Sequence, residues 1–290
     1  MQSTRSPKGL VIFPRHPHVR GAHAIAGVLV LAGVLWSCRA SSEPVVVRFP
    51  EGTLRGLLAL RSPSGELLAS GDLIQTVREK QVTSRVTYRF RDGSIQDETA
   101  VFTQDGQFRL LSSHLSQKGP SFPNGVDLTV DTAKGTVATR PSDDKGEGKV
   151  ETETMDLPPD LANGMLPILL KNHPSKGAAF EVSMIVAAPK PRLVRVAIDR
   201  VGTDAISMGG IARDVGHYRG KVNLGGLTGV VAPLVGKQPE DIQMWLLEGE
   251  VPVLLRSDAQ MFAEGPVWRI ELLGPDASPR NDTARAAAKP

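Results

Sequence analysis

The amino-acid sequence predicts a mainly β protein, built as an antiparallel curved sheet or open barrel with one short helix packed against it. Short runs that alternate apolar and polar residues recur from Val45 to about residue 272, and Gly, Pro and Asp separate them. Alternation at a period of two residues is typical of half-buried strands. Only the stretch from about Pro159 to Asn172 spaces its apolar residues as a helix does. Many strands and one helix favour a sheet that covers the helix.

The first clear strand pair surrounds an Asp-Gly turn. Residues 85–90 alternate cationic or polar side chains with apolar ones, and Asp92-Gly93 follows at once. Asp-Gly favours a two-residue hairpin loop, because both central residues of that turn need a positive φ. A loop of this length sets Thr87 opposite Glu98 and predicts that Glu98 lies on the outward, cationic face of the hairpin.

The remaining strands are predicted from similar patterns. The return strand runs from Ser94 to about Thr103, and the next from Gln107 to about Leu115. Leu128–Val137 reads as another hairpin, with Gly135 in the position that needs a positive φ. Further strands are expected at residues 179–187, 193–201, 217–224, 243–247, 251–256 and 266–272. A two-lobed arrangement with a seam near residues 141–149 is the alternative to a single curved sheet.

The helix is predicted from about Pro159 to Asn172. Proline is tolerated in a first helical turn, and the acidic Asp160 suits the positive end of the helix dipole. Gly164 and Pro167 interrupt the segment, so we expect a bent or broken helix. His173-Pro174 ends it.

The charge distribution argues against nucleic-acid binding. The chain has 34 basic and 31 acidic residues, a net charge of +3, and a pI of about 9.1. Four of the basic residues and none of the acidic ones lie in residues 1–37, so 30 basic and 31 acidic residues remain in the rest of the chain. A domain that grips phosphates needs a basic surface of its own, and the sequence after residue 37 offers none.

The first 37 residues resemble a bacterial export signal. Four basic residues precede an uncharged stretch of 13 residues, Ala24–Trp36, which suits a signal-peptide core of roughly 7–15 residues and is shorter than a membrane span. Leu35-Trp36-Ser37-Cys38 then resembles the lipobox, in which the cysteine receives the lipid. This assigns a lipid to Cys38, the only cysteine of the chain. Cleavage after Ala40 with plain secretion, and an uncleaved anchor, are the alternatives.

The segment boundaries follow from this interpretation. Residues 1–37 are expected to be the signal peptide, 38–44 a tether, 45–273 the β-rich domain and 274–290 a disordered tail, which is rich in Pro, Ala, Asp and Arg. Because Arg39 rather than Asp follows the cysteine, the resemblance to lipoproteins implies an outer-membrane lipoprotein on the periplasmic side. A soluble periplasmic or secreted protein is the alternative location.

Candidates for chemistry are few. His114 and His217, with nearby carboxylates, are the residues for an envelope hydrolase; Asp214 and Ser207 are the polar neighbours of His217 in sequence. No His ligand pair at the spacing of a helical metal site and no phosphate-binding glycine pattern is present. The sequence therefore predicts no metal, no cofactor and no catalytic residue.

Two apolar segments are candidates for binding a ligand or partner. Leu224–Gly236 has no charge over 13 residues and reads either as a flap that contacts lipid, ligand or partner, or as a buried crossover. The predicted helix contributes an apolar face. The residues assigned to this site are Leu161, Met165, Leu169, Leu227, Val230, Val231 and Leu234.

Leu157-Pro-Pro-Asp-Leu161-Ala-Asn-Gly164, which follows a Tyr88–Gly93 hairpin, resembles a motif of uncharacterised bacterial envelope proteins with Leu-Pro-Pro-Asp-Leu before Asn-Gly. The resemblance extends over about residues 70–272 and implies no catalytic residue. At the level of the fold, the expected architecture is also similar to the half-barrel lipoprotein carriers of the periplasm, which hold acyl chains against a helix.

Three functions follow as hypotheses. The first is a lipid-tethered, non-catalytic envelope protein that binds a hydrophobic ligand or an envelope partner, with the membrane reached through the lipid on Cys38. The second is an envelope hydrolase whose site is assembled from His217, His114 and nearby carboxylates. The third is a structural or assembly protein of the cell envelope. None of them involves nucleic acid.

The tether gives a direct prediction. Replacing Cys38 with Ser removes the only thiol that can receive a lipid, so the protein should move from the membrane fraction to the soluble periplasmic fraction. Immunoblots of fractionated cells measure this, with Ser37→Ala as the matched control that keeps the cysteine. A Cys38→Ser protein that stays with the membranes would contradict lipid attachment at this residue.

Overall fold

A computed structural model describes residues 43–143, 146–173, 179–187, 190–208, 211–223 and 238–273. Within these ranges the chain forms fifteen strands and one α-helix, and all strands belong to one antiparallel sheet. This confirms the predicted fold class. Because the strands before and after residues 141–149 share that sheet, the two-lobed alternative is wrong. Among the same residues, no helix is long and apolar enough to cross a membrane.

The elements follow the chain in this order: β1 Leu54–Arg61, β2 Leu67–Arg78, β3 Gln81–Phe90, β4 Ile95–Asp105, β5 Gln107–Lys118, β6 Gly125–Asp131, β7 Thr136–Asp143, β8 Gly146–Glu147, β9 Glu151–Thr154, α1 Leu166–Asn172, β10 Phe180–Ala187, β11 Pro191–Met208, β12 Ile211–Asn223, β13 Ile242–Leu247, β14 Val253–Gln260 and β15 Val267–Leu273. Neighbours in the sheet run from β10 through β15, then β1 through β8. Strand β9 pairs with β7. The β15–β1 pair therefore joins the two halves of the chain.

The predicted register of the first hairpin is wrong by one residue. Phe90, not Arg91, pairs with Ser94, and three residues form the loop, with Gly93 at a φ of +88°. A positive-φ glycine serves a three-residue loop as well as a two-residue one, so the Asp-Gly pair alone did not distinguish them. A shift of one residue exchanges the two faces of a strand. Asp97 is consequently the carboxylate that meets Arg85 outside, at 2.8 Å, and Glu98 points to the concave side of the sheet.

The second predicted hairpin is confirmed. Strands β6 and β7 flank a turn in which Gly135 has a φ of +62°. The predicted helix is only half confirmed, because α1 begins at Leu166 rather than near Pro159. Gly164 has a φ of +68°, which a right-handed helix excludes, and Pro167 lies at the start of α1, where its missing N–H has no consequence.

The sheet curls around α1. One buried cluster joins inner-face residues of β3–β7 with the helix and with residues of β10–β13, including Phe102, Val130, Met165, Val196 and Met244. These strands lie far apart in the sheet order, so only a strongly curved sheet brings them together. The helix is enclosed: Ile168, Leu169 and Leu170 are all buried.

The end of α1 holds the segment through which the chain enters the fold. The Oδ1 atom of Asn172 accepts hydrogen bonds from the backbone N–H groups of Arg48 and Phe49 at 2.9 and 2.7 Å, and its Nδ2 donates to the carbonyl of Ile168 at 2.9 Å. Beside it, Lys171 Nζ lies 2.5 Å from Glu51 Oε1. Asn172 is 1% exposed, so its side-chain amide has no water to replace a lost partner.

Replacing Asn172 with Ala should therefore destabilise the fold. Three buried hydrogen bonds are lost and two backbone N–H groups are left without their acceptor, which we expect to lower the free energy of unfolding by about 2–4 kcal/mol. Urea unfolding followed by circular dichroism measures this change. The control is Asn124→Ala at an exposed position, expected within about 0.5 kcal/mol of the parent. Equal losses in both variants would contradict the proposed anchoring.

Candidate functional site

The Asp160–Gly164 part of the Leu-Pro-Pro-Asp-Leu…Asn-Gly motif docks against the edge of β10, and we call it the docking segment. Leu161 forms a parallel bridge with Ser183 of β10. The Ser183 hydroxyl donates to Asp160 Oδ2 at 3.0 Å, and the backbone N–H of Ala162 donates to the Ser183 carbonyl at 2.8 Å. An edge strand offers unpaired backbone groups, and the docking segment satisfies those of β10.

Asn163 completes the docking with its side chain. Its Oδ1 accepts from the Ile185 N–H at 2.9 Å and its Nδ2 donates to the Ile185 carbonyl at 2.8 Å. The side-chain amide thus takes the place of another strand residue. Gly164 follows in the left-handed region, and a Cβ atom there would lie 2.9 Å from Ala100 Cβ and 3.3 Å from Glu98 Oε1. Glycine is required because the backbone passes directly over β4.

The apolar residues that the sequence assigns to ligand binding fall into two groups. Leu161, Met165 and Leu169 lie in the buried core around α1, with exposures of 2%, 0% and 3%. Packing within the protein accounts for their burial, and their role in binding stays a prediction. Leu227, Val230, Val231 and Leu234 fall outside the described residues. The same holds for Cys38 and for the predicted signal peptide and tail.

From a different set of residues we infer a hollow on the concave face. Leu73, Val86, Glu98 and Leu115 stand side by side on β2, β3, β4 and β5, paired in register across the four strands. We call these four residues the middle row. All four are half-buried. Since each lies on the inner face of strands with neighbours on both sides, their accessible surface faces the interior of the curl.

The residues on either side of the middle row are buried. The adjacent inner-face residues toward α1 are Gln75, Ser84, Ala100 and Ser113, and those on the other side are Gly71, Tyr88, Gln96 and Gln117. The largest exposure among the side chains of these two rows is 7%. The hollow therefore lies between two buried zones. The middle row is not accessible merely because it lies at the rim of the sheet.

Two separate core clusters form these buried zones. The cluster around α1 closes one side. An aromatic cluster closes the other, in which Phe90, Phe122, Phe262 and Trp268 meet at ring-centroid distances of 5.2–5.9 Å. Tyr88 belongs to the second cluster, and its ring fits only because Gly71 has no side chain: a Cβ there would lie 2.6 Å from the Tyr88 ring.

Glu98 is the one charged residue of the middle row. Among the described residues, its carboxyl group has no hydrogen-bond or ion-pair partner. Part of its surface remains accessible, and burial raises the pKa of Glu98 to about 7. Burial also raises the pKa of the neighbouring Tyr88, and the negative charge of Glu98 adds to this shift. A carboxyl group that loses its proton near neutral pH lines an otherwise apolar row.

His217 occupies a stacked arrangement on the outer face. Its ring lies parallel to that of Trp245, with centroids 4.7 Å apart, and Arg256 covers the Trp245 ring at 4.1 Å. Its Nδ1 lies 3.2 Å from Asp204 Oδ2, and its Nε2 lies 2.9 Å from Gln243 Oε1. Both ring nitrogens of His217 have partners, so the contacts with Asp204, Gln243 and Trp245 account for a histidine at this position.

The hydrolase residues predicted from sequence are not brought together. In the register of β11 and β12, Ser207 pairs with Ala212 and Ala205 with Asp214, so Ser207 and Asp214 share the face opposite to His217. His114 lies on the outer face of β5, 3.0 Å from Asp127, and seven strands separate β5 from β12 in the sheet. Within the described ranges, no group of three His, Cys, Asp or Glu residues is placed to hold a metal ion.

Two surface depressions lie elsewhere on the domain. One of about 370 Å³ is found where the chain enters the fold, between Glu43–Val46 and the stacked rings of His173 and Phe180. Another of about 280 Å³ lies beside the first hairpin, lined by Gly93, Ile95 and Lys118 among others. Neither depression is lined by a residue of the middle row.

Sequence reasoning missed Glu98 as a site residue. It placed Glu98 on the outward, cationic face of the first hairpin. The alternation Gln96, Glu98, Ala100 and Phe102 was the available signal, because Phe102 must face the core and the period of two then carries Glu98 inward as well.

Comparison with known proteins yields a distant structural likeness. No family model matches the sequence, and no curated protein matches it. Among solved structures, the chain is similar to a beta-barrel-like protein of a domain of unknown function, DUF1849, from Brucella abortus, with a TM-score of 0.43 at 10% identity over 76% of this chain and 94% of that one. Any conclusion about function must therefore be argued from the side chains of this protein.

The position of Glu98 predicts an unusual pH dependence of stability. Its pKa rises from 4.5 to about 7 on folding, so between these values the folded protein holds a proton that the unfolded chain has released. Stability should fall as the pH rises through this window, with a limiting slope of about 1.4 kcal/mol per pH unit, and level off above it. Glu98→Gln removes this contribution.

Urea unfolding of the parent and of Glu98→Gln from pH 4.5 to 8 measures the effect. The variant should gain stability relative to the parent as the pH rises, whereas the control Glu151→Gln, at an exposed position of the edge strand β9, should run parallel to the parent. Parallel curves for Glu98→Gln would show that Glu98 titrates as an exposed carboxyl group does.

Proposed function

We propose that this protein is a lipid-tethered, non-catalytic protein of the cell envelope that binds a hydrophobic ligand in the hollow of its curled sheet. The observation that carries the proposal is the middle row. Leu73, Val86, Glu98 and Leu115 keep accessible surface in the interior, while the rows on both sides of them are sealed. Accessible apolar surface inside a fold is the usual basis of a ligand site.

The dimensions of the hollow suit an alkyl chain. Neighbouring strands lie about 4.8 Å apart, so the middle row extends over roughly 14 Å from β2 to β5. Three of its four side chains are apolar, and they lie on one line across the strands. A linear apolar group laid across the strands would contact Leu73, Val86 and Leu115 in turn. We therefore expect a ligand with a medium-length aliphatic chain.

The proposed anchor would hold the domain close to a membrane. Six residues lie between Cys38 and Val45, so the Cα atoms of these two residues can be at most about 25 Å apart in a fully extended chain. Val45 is already tied to the β4–β5 turn, since its carbonyl accepts from the Phe108 N–H at 2.9 Å. A lipid on Cys38 would thus keep the ligand site near the bilayer, on the periplasmic side and, by the residue after the cysteine, at the outer membrane.

A structural or assembly role is the second candidate. The complete burial of Leu161, Met165 and Leu169 favours it, because the helix that sequence analysis assigned to a ligand is part of a solid core. In that case an envelope protein, rather than a small molecule, would be the partner. The hydrolase hypothesis is not proposed further, since His114 and His217 lie in separate networks.

Filling the hollow tests the proposal. Val86→Trp adds a large ring at the centre of the middle row, and we expect it to reduce binding of the neutral apolar dye Nile red by about tenfold or more, since a blocked pocket loses the burial that drives binding. The matched control Leu57→Trp places the same ring at a 61% exposed position and should bind the dye as the parent does. Fluorescence titration measures both.

Circular dichroism establishes that the variants remain folded, and Leu73→Phe offers a milder way to fill the same space. Native mass spectrometry of the protein purified from bacterial envelopes should also show a bound hydrophobic molecule that Val86→Trp lacks. Unchanged dye binding in folded Val86→Trp and Leu73→Phe would contradict the hollow as the ligand site and favour the structural role.

A further inference from the structure

The carboxyl group of Glu98 sets the chemistry of the hollow. It lies within an apolar row, against the backbone of Gly164, and none of the described residues gives it a hydrogen bond or a salt bridge. The buried carboxylate of Glu51, by contrast, meets both Lys171 and Gln75. An unpaired buried carboxyl group costs stability, and neighbouring polar side chains such as Gln96 and Gln117 bond to each other instead.

A ligand can supply the missing partner. A protonated amine donates hydrogen bonds to a carboxylate and carries the opposite charge, and in a water-poor site this charge-assisted bond is stronger than a neutral one. A carboxylate or phosphate headgroup would instead place a second negative charge beside Glu98. An alcohol can donate one hydrogen bond but brings no charge. The site therefore discriminates among headgroups by charge.

We propose that the hollow selects amphiphiles that carry a primary amine on an aliphatic chain, with Glu98 as the residue that determines this specificity. The inference rests on the proposed function, because it assumes that the hollow holds an aliphatic chain. The ammonium group lies at the Glu98 carboxylate, next to Leu115, and the chain runs from there along Val86 and Leu73. Near pH 6 the carboxyl group of the empty site is protonated, since its pKa is about 7, so binding an ammonium ion expels that proton to solvent.

Three ligands of equal chain length test the specificity: dodecylamine, dodecanol and dodecanoate, each below its micellar concentration. The full chain carries Cys38→Ser, so that no attached lipid competes for the hollow. Isothermal titration calorimetry at pH 8, where Glu98 is ionised and the amine still carries its proton, should show dodecylamine binding at least about tenfold more tightly than dodecanol, because a hydrogen bond to a charged group is worth a tenfold or greater change in Kd. Dodecanoate should bind most weakly.

Glu98→Gln is the decisive variant, because it keeps the shape of the side chain and removes its charge. It should abolish the preference for the amine while leaving the affinity for dodecanol within about threefold, as expected when only a charged contact is lost. Titrations in buffers of different ionisation enthalpy add an independent readout: the parent should release about one proton per dodecylamine bound at pH 6, and Glu98→Gln none. Glu151→Gln, at the exposed edge strand, should match the parent in both.

The outcomes separate the two proposals. If dodecylamine and dodecanol bind the parent equally, or if the amine preference survives in Glu98→Gln, the inference about specificity is overturned while the hydrophobic site stands. If none of the three ligands binds the parent, the proposed function fails and the inference fails with it. A preference that is lost only in Glu98→Gln, together with its proton release, is the result expected here.

Discussion

The two hydrogen bonds between the Asn163 side chain and the backbone of Ile185 are the contact on which the rest of this fold depends. A curled sheet leaves an end strand whose backbone groups need partners and a concave face that must be filled. Asn163 meets both needs, because it binds the edge of β10 and turns the chain at Gly164 over β4. Helix α1 then follows into the interior, and Asn172 at its end fixes the entering chain at Arg48 and Phe49.

The same constraint explains why a hollow remains. One short helix of seven residues fills only part of the curl, and an aromatic cluster around Phe122 and Trp268 fills another part. The middle row lies between them. In a core optimised for stability alone, an apolar side chain would occupy the position of Glu98, since an unpaired buried carboxyl group destabilises the fold. Groups that lower stability in this way concentrate at functional sites, and this places Glu98 at the centre of the proposed function.

Much of the fold could be predicted from the sequence, because alternation and turn residues are local signals. The strands at residues 107–115, 179–187 and 243–247 and the Gly135 turn were predicted and are present. The failures arise where a local pattern permits two answers. Gly93 fits a two-residue and a three-residue loop, so the face of Glu98 depended on one residue of register. Leu161 and Met165 have helical spacing, but the docking segment pairs with β10 instead of forming a first helical turn.

The hollow itself was beyond sequence reasoning, because it depends on the simultaneous register of four strands. A methyl-resolved NMR titration of the Cys38→Ser protein with dodecylamine examines it most directly, by locating the bound chain. We predict intermolecular contacts from the aliphatic chain to the methyl groups of Leu73, Val86 and Leu115, with no change at the sealed Val130 and Val137. Contacts confined to surface methyl groups, such as those of Leu57 and Val251, which are 61% and 65% exposed, would contradict an internal ligand site.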